Sequence, residues 1–182
     1  TKQSGGYLIK IKGNDDLFSE VVINSAGLYA DQIAAMAGVD SYRLHYCKGE
    51  YFSYNKPAFI KHLVYPVPER DITGLGIHSV LDLAGGLKFG PSAEYVERID
   101  YQVNPEHRQM FFDDVNKLFP QVKLEDLSPD QAGIRPKLQG PGEGFRDFVI
   151  KEDRPGFVDL IGIESPGLTA SLGIANYLLN LI

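Results

Sequence analysis

The sequence is poor in cysteine and has no long apolar run. Cys47 is the single cysteine among 182 residues, so no disulfide can form within the chain and a reducing compartment is favoured. No apolar stretch reaches the roughly 20 residues of a membrane-spanning helix, and no signal peptide precedes the first expected strand. We therefore expect a soluble or at most peripheral protein of the cytoplasm, or of mitochondria in a eukaryote.

An excess of positive charge is also lacking. Lys and Arg total 18 against 24 Asp and Glu, which gives a formal net charge of −6. The basic residues are dispersed rather than clustered, whereas nucleic-acid-binding domains concentrate them in patches. A nucleic-acid partner is therefore excluded, and the hydrophobic content of 43% is typical of an ordinary globular protein.

Three motifs of common functional classes are absent. A single cysteine and histidines without paired helical spacing provide no metal site. The Gly-x-Ser-x-Gly sequence of many serine hydrolases does not occur. Neither does Gly-x-Gly-x-x-Gly, the fingerprint that opens a dinucleotide-binding domain.

A strand, a turn and a helix are expected near the C-terminus. Residues 158–163 form a short apolar run, after which Ser165 suits the N-cap and Pro166 the first helical position. The apolar positions that follow at helical spacing are Leu168, Leu172, Ala175 and Leu179. A helix N-terminus offers free N–H groups and partial positive charge, so we expect an electron-rich ligand there. A plain amphipathic helix docked on a sheet is the alternative.

A similar unit is expected near the N-terminus. Residues 21–24 read as a buried strand, residues 25–27 as a turn of small residues, and residues 28–37 as a helix that stops at Gly38. Small side chains at such a turn let a ligand approach the backbone. Close packing of the helix on the strand is the alternative.

Short alternating strands cut by Gly and Pro occupy the middle of the chain, as in an antiparallel sheet. The expected strands are residues 44–54, 62–68, 74–80 and 86–89. A helix with Asn104 as its N-cap and Pro105 at its first position should stop at Pro120. We expect a further short turn to start at residues 128–130.

Residues 133–138 contain an arginine in an extended segment. Pro136 restricts the backbone of Arg135, whose guanidinium can present two parallel donors to a carboxylate. An ordinary surface arginine is the alternative reading.

These segments resemble FAD-dependent oxidoreductases of the D-amino-acid oxidase superfamily, in particular the branch similar to L-2-hydroxyglutarate dehydrogenase. Residues 162–171 resemble the closing motif of that family, residues 24–31 its Asn-x-Ala-Gly segment, and residues 133–136 its Gly-(Ile/Leu/Phe)-Arg-Pro motif. The motifs that resemble the substrate domain, in the same order, are residues 63–68, 74–78 and 87–94. Several separated matches in order make chance similarity a poor explanation.

The resemblance implies FAD as the cofactor and names its contacts. On the pyrimidine side of the flavin these would be Gly167, Leu168 and Thr169. On the diphosphate and ribose side they would be Ala26 and Gly27, with Asn24 a weaker expectation.

Oxidation of a 2-hydroxy acid on a flavin needs a carboxylate anchor, a proton acceptor and a partly dry flavin face. By resemblance, Arg135 is the anchor. His78 is our candidate acceptor, since an imidazole titrates near neutral pH, and a structural histidine is the alternative. Tyr51 and Tyr65 could donate hydroxyl hydrogen bonds to the substrate, and Lys48 could pair with the distal carboxylate of a dicarboxylic acid.

The predicted fold class combines α+β and α/β architecture. Residues 41–130 would form an antiparallel-sheet substrate domain with helical covers. Residues 1–40 and 131–182 would supply the terminal strand and helix elements of a Rossmann-like FAD domain.

The resemblance also implies a chain that works with partners. A complete family member needs about twice this length, so we expect a C-terminal portion whose partners are a small carboxylate substrate and either the N-terminal half of the FAD domain or a second copy. Oxidation of glycerol 3-phosphate or an amino acid, and an inactive binding or interaction module, remain alternatives.

Overall fold

The structure, a computed structural model, describes residues 1–67 and 76–182. Its strands are β1 (Lys2–Gln3), β2 (Gly6–Ile9), β3 (Leu17–Ser19), β4 (Val22–Asn24), β5 (His45–Tyr54), β6 (His78–Leu81), β7 (Leu87–Gly90), β8 (Glu94–Val96), β9 (Leu127–Lys137), β10 (Val149–Arg154) and β11 (Phe157–Ile161). Its α-helices are α1 (Ala30–Met36), α2 (Arg108–Leu118) and α3 (Gly167–Leu178), and 3₁₀ turns occupy Gly27–Tyr29, Pro105–His107 and Leu124–Asp126.

The chain divides into two compact units. The first unit contains residues 1–46 and 135–182, and the second contains residues 47–134. The assignment of residues 1–40 and 131–182 to a flavin domain, and of 41–130 to a substrate domain, stays a prediction.

A mixed sheet in the order β10-β11-β4 organises the first unit. β11 is antiparallel to β10 and parallel to β4, with Asn24 opposite Asp159. All five residues of β11 are buried, as a strand covered on both faces requires. Helix α1 packs its buried Ala30 and Ala34 with Ile161 in one core cluster. A separate sheet has the order β1-β2-β3.

The sheet of the second unit has the order β6-β7-β5-β8, with β9 also paired to β5. Helix α2 buries Phe111 and Val115, which belong to one core with Phe52 and Phe89. The rings of Phe52 and Phe111 lie 4.5 Å apart between centroids. This aromatic cluster is the main hydrophobic core of the second unit.

The mixed α/β character predicted from the sequence is confirmed, as are the strand, turn and helix between residues 21 and 38. Asn104 also acts as the predicted cap, since its side chain accepts from the Glu106 amide. Other predictions are wrong. Helix α3 begins at Gly167 with Pro166 in the cap position, because the Gly167 amide donates to the Glu164 carbonyl, and Ser165 provides no side-chain cap.

Two further boundaries differ. Residues 128–130 lie within β9, where Asp130 forms an ion pair with Lys88, and do not start a turn. The predicted strand 62–68 is wrong over its described residues 62–67, because only Val64 bonds to Ser79 and Pro66 has no N–H to donate. Pro68, and the start of the predicted strand 74–80 at Gly74 and Leu75, lie outside the described residues.

The aromatic core of the second unit predicts a large effect of Phe111→Ala. The side chain is fully buried, so its removal should lower the free energy of unfolding by about 3–5 kcal/mol. Urea titration followed by circular dichroism measures this. Phe145→Ala is the matched control, because Phe145 is 84% exposed, and equal midpoints for the two variants would contradict the assigned core.

Candidate functional site

The turn after β4 is held by the side chain of Asn24. Its amide nitrogen donates to the Ala30 carbonyl at 2.7 Å, and its Oδ1 accepts from the Ala26 amide at 3.3 Å. Gly27 has a φ of +57°, and a Cβ added there would meet no atom within 4 Å. The predicted turn is therefore a fixed loop with open space at the one residue whose backbone favours glycine.

The turn before α3 is the second predicted contact segment. The backbone carbonyl of Glu164 closes this turn by accepting a hydrogen bond from the Gly167 amide at 2.6 Å. No side chain caps the start of the helix, so its first-turn amides can serve a ligand. Gly167 is buried, and a Cβ there would lie 2.3 Å from Cγ2 of Ile163, so the close packing of this turn requires glycine.

These two turns line one cavity of about 360 Å³. Its walls include Ser25, Gly27, Leu160, Gly167 and Ser171. Small-molecule pockets have volumes of roughly 300–1,000 Å³. A second concavity of about 360 Å³ is lined by residues 163–169 and so includes Leu168 and Thr169. The structure thus brings Gly27 and Gly167 together at one cavity although 139 residues separate them in the sequence.

A buried acid group supports the first turn from β11. The Asn24 amide also donates to Oδ1 of Asp159 at 2.6 Å, and Asp159 is fully buried. Burial raises the pKa of Asp159 to about 6; the Asn24 hydrogen bond lowers it, and nearby Asp153 raises it again. Burial would also raise the pKa of Asp153, but hydrogen bonds from Lys151 and Tyr42 hold it below its ordinary value. The two acids therefore compete for one negative charge.

Arg135 lies beside the turn that starts α3. Its Nη1 is 3.9 Å from Oε2 of Glu164, and Lys137 Nζ is 2.7 Å from Oε1 of the same carboxylate. Both cations project from β9, two residues apart and hence on one face. The predicted carboxylate anchor and the predicted cofactor turn are thus linked through Glu164.

His78 and Tyr65 are brought together within the second unit. Their rings stack with centroids 4.2 Å apart, and His78 Nδ1 lies 2.9 Å from the Gly76 carbonyl. Because a carbonyl only accepts, Nδ1 carries the proton in the neutral imidazole and the lone pair lies on Nε2. This tautomer suits a proton acceptor, and the role itself stays a prediction.

Lys48 has other partners than a substrate. Its ammonium lies 3.0 Å from Oε1 of Glu50 and donates to the Gln102 carbonyl. His107 Nδ1 lies 2.6 Å from the other Glu50 oxygen. Burial would raise the pKa of Glu50, but these bonds and the Asn104 amide hold it below its ordinary value. The buried cluster fastens β5 to the start of the α2 region.

Tyr51 lies on β5, where its ring packs against the backbone of Gly90. Its proposed hydroxyl donation stays a prediction.

The sequence profile of the DAO family, described as FAD dependent oxidoreductase, matches residues 3–181. The chain belongs to this DAO family. The predicted family is confirmed, and with it FAD as the family's cofactor.

Individual relatives cover this chain well but are much longer. The chain is 42% identical over 186 residues to the mitochondrial L-2-hydroxyglutarate dehydrogenase of Arabidopsis thaliana. This alignment covers 91% of this chain and 38% of that protein. It is 27% identical to glycerol 3-phosphate dehydrogenase of Caloramator mitchellensis, over 100% of this chain and 37% of that protein. Dithionite-reduced L-alpha-glycerophosphate oxidase from Mycoplasma pneumoniae with FAD bound matches with a TM-score of 0.80 and 25% identity, over 99% of this chain and 47% of that chain. The chain thus spans less than half the length of each.

The cavity of this DAO-family chain suits part of a flavin nucleotide. Gly27 and Gly167 place no side chain at their two points of the cavity wall, and the uncapped start of α3 supplies amide donors beside it. Within residues 1–67 and 76–182 no three His, Cys, Asp or Glu side chains form a metal-binding group. No helix in those same residues has the length and apolarity to cross a membrane.

Sequence reasoning missed Asp159 and Glu164. Asp159 was detectable as the one acid in the apolar run 157–161, since a buried charge needs a partner. Glu164 carried no such signal, because its partners are 27 and 29 residues away.

The raised pKa of Asp159 predicts that the stability of the fold depends on pH. The folded chain holds this proton more tightly than the unfolded chain, so the contribution of Asp159 is full below its ordinary pKa of 3.8 and is lost as pH rises through about 6. Asp159→Asn keeps an oxygen for Asn24 and adds a donor toward Asp153, so it should remove this loss. Urea unfolding between pH 4 and 8 measures the difference.

Asp15→Asn, in an exposed turn, is the control for that series. Its stability should follow the pH profile of the unaltered chain. If Asp159→Asn also ran parallel to the unaltered chain across this range, the assigned proton would be wrong.

Proposed function

We propose that the chain is the C-terminal portion of an FAD-dependent dehydrogenase or oxidase that converts a small 2-hydroxy acid, of the L-2-hydroxyglutarate type, to the 2-oxo acid. The observation that carries this proposal is the link from Arg135 through Glu164 to the turn at Gly167. Through this link the Arg135 guanidinium, our proposed carboxylate anchor, lies next to the residue that begins the turn we assign to the flavin. The 42% identity to a plant L-2-hydroxyglutarate dehydrogenase supports the substrate class.

Each group in the first unit would have a defined task. FAD, when bound, would accept the hydride from C2 of the substrate. Arg135 would bind the substrate carboxylate with two parallel N–H donors and so orient C2. The backbone amides of Leu168 and Thr169, at the start of α3, would stabilise negative charge on the pyrimidine side of the flavin.

His78 is our proposed acceptor of the hydroxyl proton. Support comes from the contact of Nδ1 with the Gly76 carbonyl, which leaves the lone pair on Nε2. The stacked ring of Tyr65 fixes the orientation of the imidazole. We do not assign Lys48 to the substrate, because it is buried against Glu50.

We further propose that the exposed apolar face of α3 packs against the N-terminal half of the FAD domain. Leu172 is 85% exposed and Leu179 is 69% exposed, and the relatives contain more than twice the aligned length. Exposed apolar surface of this kind marks an interface. A second copy of the chain is the alternative occupant.

Glycerol 3-phosphate is a second candidate substrate. It is favoured by the structural likeness to the Mycoplasma pneumoniae oxidase and by the identity to the Caloramator enzyme. Oxidation of either substrate by the FAD-loaded protein, with a dye as electron acceptor, distinguishes the two. We expect turnover with L-2-hydroxyglutarate, and turnover with glycerol 3-phosphate alone would contradict the proposed substrate.

The same assay tests the role of Arg135 through the variant Arg135→Ala. Loss of charged hydrogen bonds worth about 3 kcal/mol should raise the KM for the hydroxy acid by about 100-fold. Arg98→Ala removes an equal charge from an exposed position and is the control. Equal KM values for the two variants would remove Arg135 from the proposed site.

Gly27→Ala tests the cofactor cavity separately. Its φ of +57° costs an alanine about 1–2 kcal/mol, and the new methyl group would occupy open space at the cavity wall. We expect weaker FAD binding, measured by quenching of flavin fluorescence. Gly173→Ala is the control, since a Cβ added at Gly173 in α3 would meet no atom within 4 Å and Gly173 does not line the cavity. The cavity assignment fails if both variants bind FAD like the unaltered chain.

A further inference from the structure

We propose that Lys137 keeps Arg135 available for an anionic ligand by neutralising Glu164, the carboxylate that would otherwise compete for the arginine. This inference rests on the proposed function in one respect, the role of Arg135 as the substrate anchor. It adds a positioning residue to that site and explains how a cation next to a protein carboxylate can still bind a substrate carboxylate.

The geometry is asymmetric. Lys137 Nζ lies 2.7 Å from Glu164 Oε1 and donates a hydrogen bond to it, whereas Arg135 Nη1 lies 3.9 Å from Oε2, beyond hydrogen-bond distance. The Lys137 side chain is 9% exposed and the Arg135 side chain 28% exposed. Glu164 therefore bonds to the buried Lys137, and among residues 1–67 and 76–182 no acceptor lies within hydrogen-bond distance of the more accessible Arg135 guanidinium.

The available partners of Arg135 support this reading. In the part of the chain that the structure describes, Glu164 is the one carboxylate within 4 Å of its guanidinium. Two cations and one carboxylate leave the group with one net positive charge. Without Lys137 the net charge would be zero, and Glu164 would form a paired bond with Arg135 in place of the ligand.

Backbone constraints hold all three groups in this arrangement. Arg135 and Lys137 flank Pro136 on β9, which keeps the segment extended and both side chains on one face. Glu164 is fixed from the other side, since its carbonyl accepts from the Gly167 amide at 2.6 Å. The backbone that carries the carboxylate is therefore anchored at the start of α3.

The test is binding of glutarate, a dicarboxylate that cannot be oxidised at C2, to the full chain by isothermal titration calorimetry. Lys137→Gln should raise the Kd at least about tenfold, because one charged hydrogen-bond partner of the ligand is lost to Glu164. The Kd of the double variant Lys137→Gln/Glu164→Gln should return to within about threefold of the unaltered chain, since the Glu164 carboxylate that competes for Arg135 is also removed. Lys61→Gln, an exposed lysine, is the control for net charge.

A second readout does not need the ligand. The Nε–Hε resonance of Arg135 in NMR spectra should shift and sharpen in Lys137→Gln, where the guanidinium becomes paired, and return in the double variant. Circular dichroism of each variant checks folding.

The outcomes separate this inference from the proposed function. If Arg135→Ala abolishes glutarate binding but the double variant stays as weak as Lys137→Gln, the shielding role of Lys137 is overturned and the anchor stands. Unchanged binding by Lys137→Gln overturns it as well. If the unaltered chain does not bind glutarate, or Arg135→Ala binds it equally well, the anchor itself is wrong and both proposals fall.

Discussion

The parallel pairing of β4 with β11 is the constraint on which the candidate site depends. Parallel neighbours end at the same edge of a sheet, so the turn after β4 and the turn after β11 are delivered to one place. Asn24 strengthens this pairing because it bonds to Asp159 across the strands and to the turn it precedes. Two glycines far apart in sequence line one cavity as a result.

Charge placement within each unit follows the same rule. Two carboxylates are each held by specific cationic or imidazole partners, as removal of a charge from water requires. Glu50 is held by Lys48 and His107 in the second unit, and Glu164 by Lys137 in the first. Arg135 is left with the weakest protein contact of these groups, which is the condition for binding an external anion.

Much of this could be predicted from the sequence, because it is encoded locally. The strand, turn and helix at residues 21–38 follow from an apolar run, small residues and a glycine stop, and Asn104 is a local cap. What could not be predicted depends on distant partners. The strand character of residues 128–130 comes from pairing with β5, and the hydrogen bond from Lys48 to the Gln102 carbonyl joins residues 54 positions apart. Helix α3 begins at Gly167, one residue later than expected, because a hydrogen bond from the Gly167 amide to the Glu164 carbonyl takes the place of the side-chain cap expected from Ser165.

The shared flavin cavity is tested most directly by amide NMR of the isotope-labelled chain during titration with FAD. We expect the signals of Gly27, Leu168 and Thr169 to shift together with one dissociation constant, because both turns would border the same bound group. Shifts at one turn without the other, or shifts confined to other regions, would contradict a shared flavin cavity.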